Sequence, residues 1–205
     1  MFDVVTRQRL ALCDQLDGLT AEQWDAPSAC GGWRTRDVVG HLASLMDLPM
    51  RRFVVGVVTP NGFHRRVDRI ALEYGRRDPA DLVTLYRRHA GKRRSPPLVG
   101  PIAPLTDVVV HALDVQRPLG LPTTNDVEAT RIVLDVVGRG LPLFVPRRRV
   151  RGLRFSTTDL DWSVGEGATV TATSADLLLA LHGRAAPADA FEGDGATEFV
   201  ARLRP

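Results

Sequence analysis

Two five-residue stretches of this sequence pair an aspartate with a histidine four positions on. Residues 37–41 read Asp-Val-Val-Gly-His, and residues 107–111 read Asp-Val-Val-Val-His. The chain has 18 Asp and five His (His41, His64, His89, His111 and His182) among its 205 residues, so about 0.4 such spacings are expected by chance. On a helix, residues i and i+4 share a face, with Cβ atoms about 5–6 Å apart. An Asp and a His so placed can grip one ion. A His from one helix with an Asp and a His from another would give two imidazoles and one carboxylate with coordination positions left open, as in catalytic zinc or ferrous sites. A plainer reading stands beside this one. A His on an apolar helix is often a hydrogen-bonded core residue, and Asp37 suits the first turn of a helix. Spacing alone leaves both open.

The elements that would hold these residues are mostly helical. Val5, Leu12, Leu16 and Leu19 recur at helical spacing, predicting a first helix over 3–16 that Gly18 stops. Thr20-Ala21-Glu22-Gln23 reads as a capping box. After the loop Pro27–Gly32, Thr35 is expected to cap a strongly apolar helix over 35–58 that carries His41. Further helices are expected at 63–74, from Asp78-Pro79 to about Gly91, at 105–116 carrying Asp107 and His111, and from a Thr123 or Thr124 cap to about Gly138. Pro142, Pro146 and Arg147–Arg149 then read as a linker. Beyond it, 153–157 and 169–173 alternate like strands, with Gly165 and Gly167 supplying the turn between them, and 174–182 and 195–203 read as helices. The expectation is a mainly α chain: a four-helix bundle over 1–146, then a small α+β domain over 147–205.

Composition excludes several classes. Hydrophobic residues make up 44% and charged residues 25%, which is ordinary for a folded domain and not for a disordered chain. Of 27 basic residues only Lys92 is Lys, which reads as genomic codon bias. The net charge of +3 hides an asymmetry: residues 1–150 carry 22 basic and 16 acidic residues, and residues 151–205 carry 5 and 8. The Arg pairs at 65, 76 and 87 are 11 apart, about three helical turns, but Gly75 and Asp78-Pro79 interrupt any stripe, and no aromatic stacking motif accompanies them. A nucleic-acid partner is therefore not expected. Cys13 and Cys30 form no CxxC pair, no signal-like segment opens the chain, and no apolar run approaches the roughly 18–20 residues of a membrane span. These features fit a cytoplasmic protein with no membrane partner, and they leave its oligomeric state unknown.

The residues around the two pentapeptides also resemble a known family. Trp24–Ser28, then Gly32-Trp33-Arg34-Thr35-Arg36-Asp37-Val38-Val39-Gly40-His41-Leu42, are similar to the N-terminal domain of the mycothiol-dependent maleylpyruvate isomerase family, a branch of the DinB-like metal-binding bundles. Asp107–Asp114 and Arg117–Gly120 extend the likeness. Leu153–Phe155, Asp159–Gly165 and Leu177–Arg184 resemble the small sterol-carrier-like domain that follows the bundle in many members. The resemblance implies a DinB-like bundle whose metal, zinc or another divalent ion, is held by His41, Asp107 and His111. The isomerase itself places Glu where this chain has Asp107, which reaches one methylene less. The resemblance further implies mycothiol as cosubstrate, and isomerisation or thiol transfer on a small electrophile. In isomerisation the thiolate would add to an activated double bond, allow rotation and leave, so no protein nucleophile is needed and Cys13 and Cys30 are given no role. Arg184 stands where the family carries an Arg that binds thiol or substrate, and Asp114 is placed to orient a ligand. The other reading is a bundle without metal that binds a small ligand or partner and catalyses nothing. His64 and His89, among arginines, are expected to be solvated.

Overall fold

A computed structural model describes residues 1–49, 51–54, 62–96, 99–141 and 144–203. Among them the chain forms helices α1 (Phe2–Leu16), α2 (Ala21–Asp25), α3 (Thr35–Asp47), α4 (Arg51–Val54), α5 (Gly62–Tyr74), α6 (Pro79–Arg88), α7 (Ile102–Gln116), α8 (Val127–Gly138), α9 (Arg147–Val150), α10 (Ser174–Leu181) and α11 (Ala196–Leu203), with strands β1 (Leu153–Thr157), β2 (Ser163–Gly165) and β3 (Ala168–Ala172). None of the described helices is long and apolar enough to cross a membrane. The chain divides into two compact units, Met1–Asn125 and Asp126–Pro205.

The first unit is a four-helix bundle. α1 packs on α6 and α7, and α3 packs on the same two helices, closing a ring. Val5, Leu12 and Leu16 of α1, Val38 and Leu42 of α3, Leu82 and Tyr86 of α6, and Leu105 and Val109 of α7 are buried within the unit, each aliphatic side chain contributing roughly 1.5–3 kcal/mol by leaving water. α5 lies outside this ring, against α3. The two meet at glycines: a Cβ on Gly40 would stand 2.7 Å from the Gly75 nitrogen and 2.8 Å from the Ala71 oxygen.

The helix boundaries differ from expectation where a local competitor wins. The box at α2 is present, Thr20 Oγ1 accepting from Gln23 N at 3.3 Å and Gln23 Oε1 from Thr20 N at 2.9 Å. At α3, however, Arg34 and not Thr35 is the N-cap residue, and the Asp37 carboxylate accepts from Arg34 N at 3.0 Å. Thr35 is already helical, so its hydroxyl cannot reach the free amides, and Oγ1 is buried with no partner among the described residues. α3 ends at Asp47 and not at Val58, because Pro49 forces Leu48 out of the helical region, to φ −79°, ψ 144°. Residues 55–58 of the expected helix lie outside the described residues.

The second unit is a three-stranded sheet with helices packed on it. Its strand order is β2-β1-β3, with β1 antiparallel to β2 and parallel to β3. Gly165 and Gly167, both at positive φ, therefore turn β2 into β3 and do not join a hairpin of the two expected strands. β2 was not expected, having only three residues. Phe199 of α11 meets Phe155 and Phe191, with ring centroids 5.2 Å apart in each pair. The junction expected at 146/147 falls inside this unit. α8 packs on α10 and β2, and Trp162 Nε1 donates to Asp135 Oδ1 at 2.9 Å. Asp126, not Thr123 or Thr124, caps α8, accepting from Ala129 N at 2.7 Å. The two threonine hydroxyls accept instead from Asn125 N and Gln116 Nε2.

Candidate metal centre

The first unit brings the two pentapeptides together, but not symmetrically. α3 presents His41 and α7 presents Asp107 and His111 at the place where these two helices pack. His41 Nε2 lies 3.5 Å from Asp107 Oδ1, and His111 Nε2 lies 3.6 Å from the same oxygen. One ligand atom from each residue falls within 4.8 Å of the other two. Separations of 3.5–3.6 Å are long for a hydrogen bond. They suit donors that share a small ion: ligands about 2.0–2.1 Å from a tetrahedral zinc stand roughly 3.3–3.4 Å apart. The shorter reach of Asp107 is no obstacle here, since Oδ1 faces both imidazoles.

The surroundings orient these donors. His111 Nδ1 lies 2.8 Å from Asp114 Oδ2, and the Asp114 side chain is fully buried. A carboxylate there accepts a hydrogen bond from Nδ1–H and leaves Nε2 as a lone pair aimed at Asp107, the arrangement that supports metal-bound histidine. His41 Nδ1 is buried with no hydrogen-bond partner among the described residues. The Trp33 ring lies over both imidazoles, 5.2 Å from the His41 centroid and 6.0 Å from that of His111, where it stacks at 24°. Gly32, at φ 83°, turns the loop that delivers it. Burial works to raise the Asp107 carboxyl. The facing His41 side chain and the charges of His41, His111 and Arg9 outweigh it and hold the carboxyl below the usual carboxylate range.

Sequence reasoning placed His41, Asp107, His111 and Asp114, and these four do meet. It kept Asp37 as a helix-start residue, and the structure agrees. It passed over Trp33, whose signal was the Gly31-Gly32-Trp33 turn just before α3. It passed over Arg9, a buried cation within electrostatic reach of Asp107. Cys30 was given no role, yet its thiol shares a second potential ligand group with His111 and Asp114. Cys13 is fully buried, and burial pushes its thiol up to about 12, so it is no nucleophile at neutral pH. His64 is exposed and lines a cavity of about 350 Å³ that also has His41, Asp107 and His111 in its wall, while His89 is half-buried. Arg184 belongs to the second unit, where its Nη1 donates to the His182 carbonyl at 3.0 Å.

Residues 5–95 match the family described as the mycothiol maleylpyruvate isomerase N-terminal domain. No curated protein matches the chain. Two solved structures are similar to it. One is the mycothiol-dependent maleylpyruvate isomerase, with a TM-score of 0.59 and 13% identity over 95% of this chain and 92% of that one. The other is a His-to-Ala variant of the mycothiol-dependent maleylpyruvate isomerase, with a TM-score of 0.55 and the same identity and coverage. At this identity the likeness is one of fold.

Proposed function

We propose that this chain, whose residues 5–95 match the mycothiol maleylpyruvate isomerase N-terminal domain, belongs to that family and is a metal-dependent enzyme that uses mycothiol for isomerisation or thiol transfer on a small electrophile. The observation that carries this reading is the convergence of His41, Asp107 and His111 within 4.8 Å. Zinc is the proposed ion. His41, Asp107 and His111 would hold it, and it would supply a Lewis acid that favours the thiolate, the nucleophilic form of a thiol.

The chain's own residues do the rest. Asp114 fixes the tautomer of His111 and holds Nε2 toward the site. Trp33, itself nearly buried, covers both imidazoles and limits their rotation and their access to water. Arg9 donates to the Ala90 and Lys92 carbonyls at 2.9 and 3.0 Å, which keeps a fixed positive charge beside Asp107. That charge favours the ionised carboxylate, the form that binds a cation. Arg184 is proposed, from the family resemblance alone, as a binding residue for an anionic group of thiol or substrate. A location in the cytoplasm and the absence of a nucleic-acid partner belong to the same proposal.

Elemental analysis of the purified full chain after zinc supplementation tests the reading. It expects close to one zinc per chain in the wild type and almost none in His41→Ala and His111→Ala. Turnover of a panel of electrophiles, maleylpyruvate included, in the presence of mycothiol is then followed by loss of the electrophile. A folded wild-type chain that takes up no metal would overturn the metal assignment in favour of a ligand-binding bundle.

A further inference from the structure

We infer that the second substrate of this site is a molecule with an apolar body. This deepens the proposed function and rests on it. The cavity that holds the metal trio has a volume of about 350 Å³, and its wall is mostly apolar, built chiefly by Trp33, Leu45, Met46, Phe53, Phe63 and Val67. A cavity this size suits a small ligand, and apolar walls with a few convergent polar groups are the usual form of such sites.

The polar part of the wall comprises His41, Asp107 and His111, with His64, Ser95 and two arginines. His41, Asp107 and His111 form the ion-binding corner. Among the described residues two cationic side chains, Arg9 and Arg94, also line the wall, each held to main chain through Nη1. Arg9 Nη1 donates to the carbonyls of Ala90 and Lys92, and Arg94 Nη1 donates to those of Leu45 and Leu48, filling acceptors left open at the end of α3. A carboxylate set against Phe53, Phe63 and Val67 would lose its hydration for nothing. A sugar-bearing thiol, rich in hydroxyl groups, would meet the same penalty along this wall. The apolar surface therefore fits the electrophile's body, with its reactive group turned to the metal corner.

Two hydroxamates that share a metal-binding head and differ in tail test this on the zinc-loaded full chain by calorimetry. Octanohydroxamate is expected to bind about 100-fold more tightly than acetohydroxamate, the worth of three to four buried methylenes. Phe63→Ser, at an exposed position on the cavity wall, should reduce that preference severalfold while leaving zinc content and acetohydroxamate binding unchanged. Equal affinity for the two hydroxamates, or tighter binding of maleate than of octanohydroxamate, would overturn the inference. If the chain takes up no zinc, the metal reading fails on its own. The cavity is then probed in the metal-free chain with 1-hexanol, where NMR shifts of the Leu45 and Val67 methyls support the apolar assignment and their absence refutes it.

Discussion

The pentapeptides at 37–41 and 107–111 differ in one residue, Gly40 against Val110, yet their aspartates do opposite things. Asp37 sits in the first turn of α3 and is 1% exposed in its side chain. Its carboxylate accepts from Arg34 N at 3.0 Å and Arg34 Nε at 3.1 Å, turned back toward the helix start. Asp107 lies one turn inside α7, where the first-turn amides are behind it, and its carboxylate faces His41 and His111. The histidines are alike, the aspartates are not, and the cause is where each helix begins. A motif of this kind has no fixed meaning until its distance from the N-cap is known. The one differing residue also has a cause, since Gly40 lets α5 cross closely over α3 while Val110 is simply buried in the first unit.

Exchanging the roles is the sharpest test of that contrast. Asp107→Ala should weaken zinc binding by more than about 100-fold, beyond the loss that follows removal of an outer hydrogen-bond partner. Asp37→Ala should leave zinc content per folded chain unchanged. Competition with a chromophoric chelator reads both. A loss of zinc in Asp37→Ala, with the chain still folded, would erase the distinction between the two aspartates. The next largest effect is on stability. Gly40→Val makes the first pentapeptide identical to the second, and its side chain would collide with the Gly75 and Ala71 backbone, which cannot swing aside. Overpacking of this kind is expected to destabilise by about 3 kcal/mol in urea unfolding. A neutral Gly40→Val would mean that α3 and α5 do not depend on this close approach.

How much of this was legible in sequence follows the range of the interaction concerned. α1, the Thr20–Gln23 box and the helices that carry His41 and His111 were readable because periodicity and capping act over a few residues. The end of α3 was missed because apolar spacing continued past Leu48, while the deciding feature was the single Pro49. The pairing of β1 with β3 was misread because alternation marks a strand and says nothing of its partner or direction. α8 reads as one more bundle helix by its pattern, yet Asp135 and Gly138 pack it against Trp162 and Val164 of the second unit. At the site, spacing and resemblance named three residues whose donor atoms converge, His41, Asp107 and His111. The roof of Trp33, the charge of Arg9 and the apolar cavity wall were not legible, since each depends on contacts between distant segments.

Asp114 tests whether α7 alone organises the site. Its carboxylate is fully buried and 2.8 Å from His111 Nδ1. Asp114→Asn keeps the shape but presents an amide that cannot hold the Nδ1 proton as firmly. Zinc affinity is expected to fall roughly 10–100-fold with the unfolding midpoint little changed. An unchanged affinity would assign Asp114 a purely structural part.

The smallest effect separates the two aspartates from the other side, through Arg34. This residue is 44% exposed in its side chain, and it also pairs with Asp25 at 3.0 Å. Arg34→Ala removes the guanidinium but keeps the main-chain nitrogen that donates to Asp37, so the helix-start bond survives. Half-exposed pairs of this kind contribute little, so the change is expected to destabilise by about 1 kcal/mol, less at high salt, with zinc affinity untouched. Urea titrations in 0.1 and 1 M NaCl, run beside the chelator assay, read both quantities. Should Arg34→Ala instead lower zinc affinity, Asp37 would be coupled to the ion-binding corner through α3, and the division of labour between the two pentapeptides would have to be redrawn.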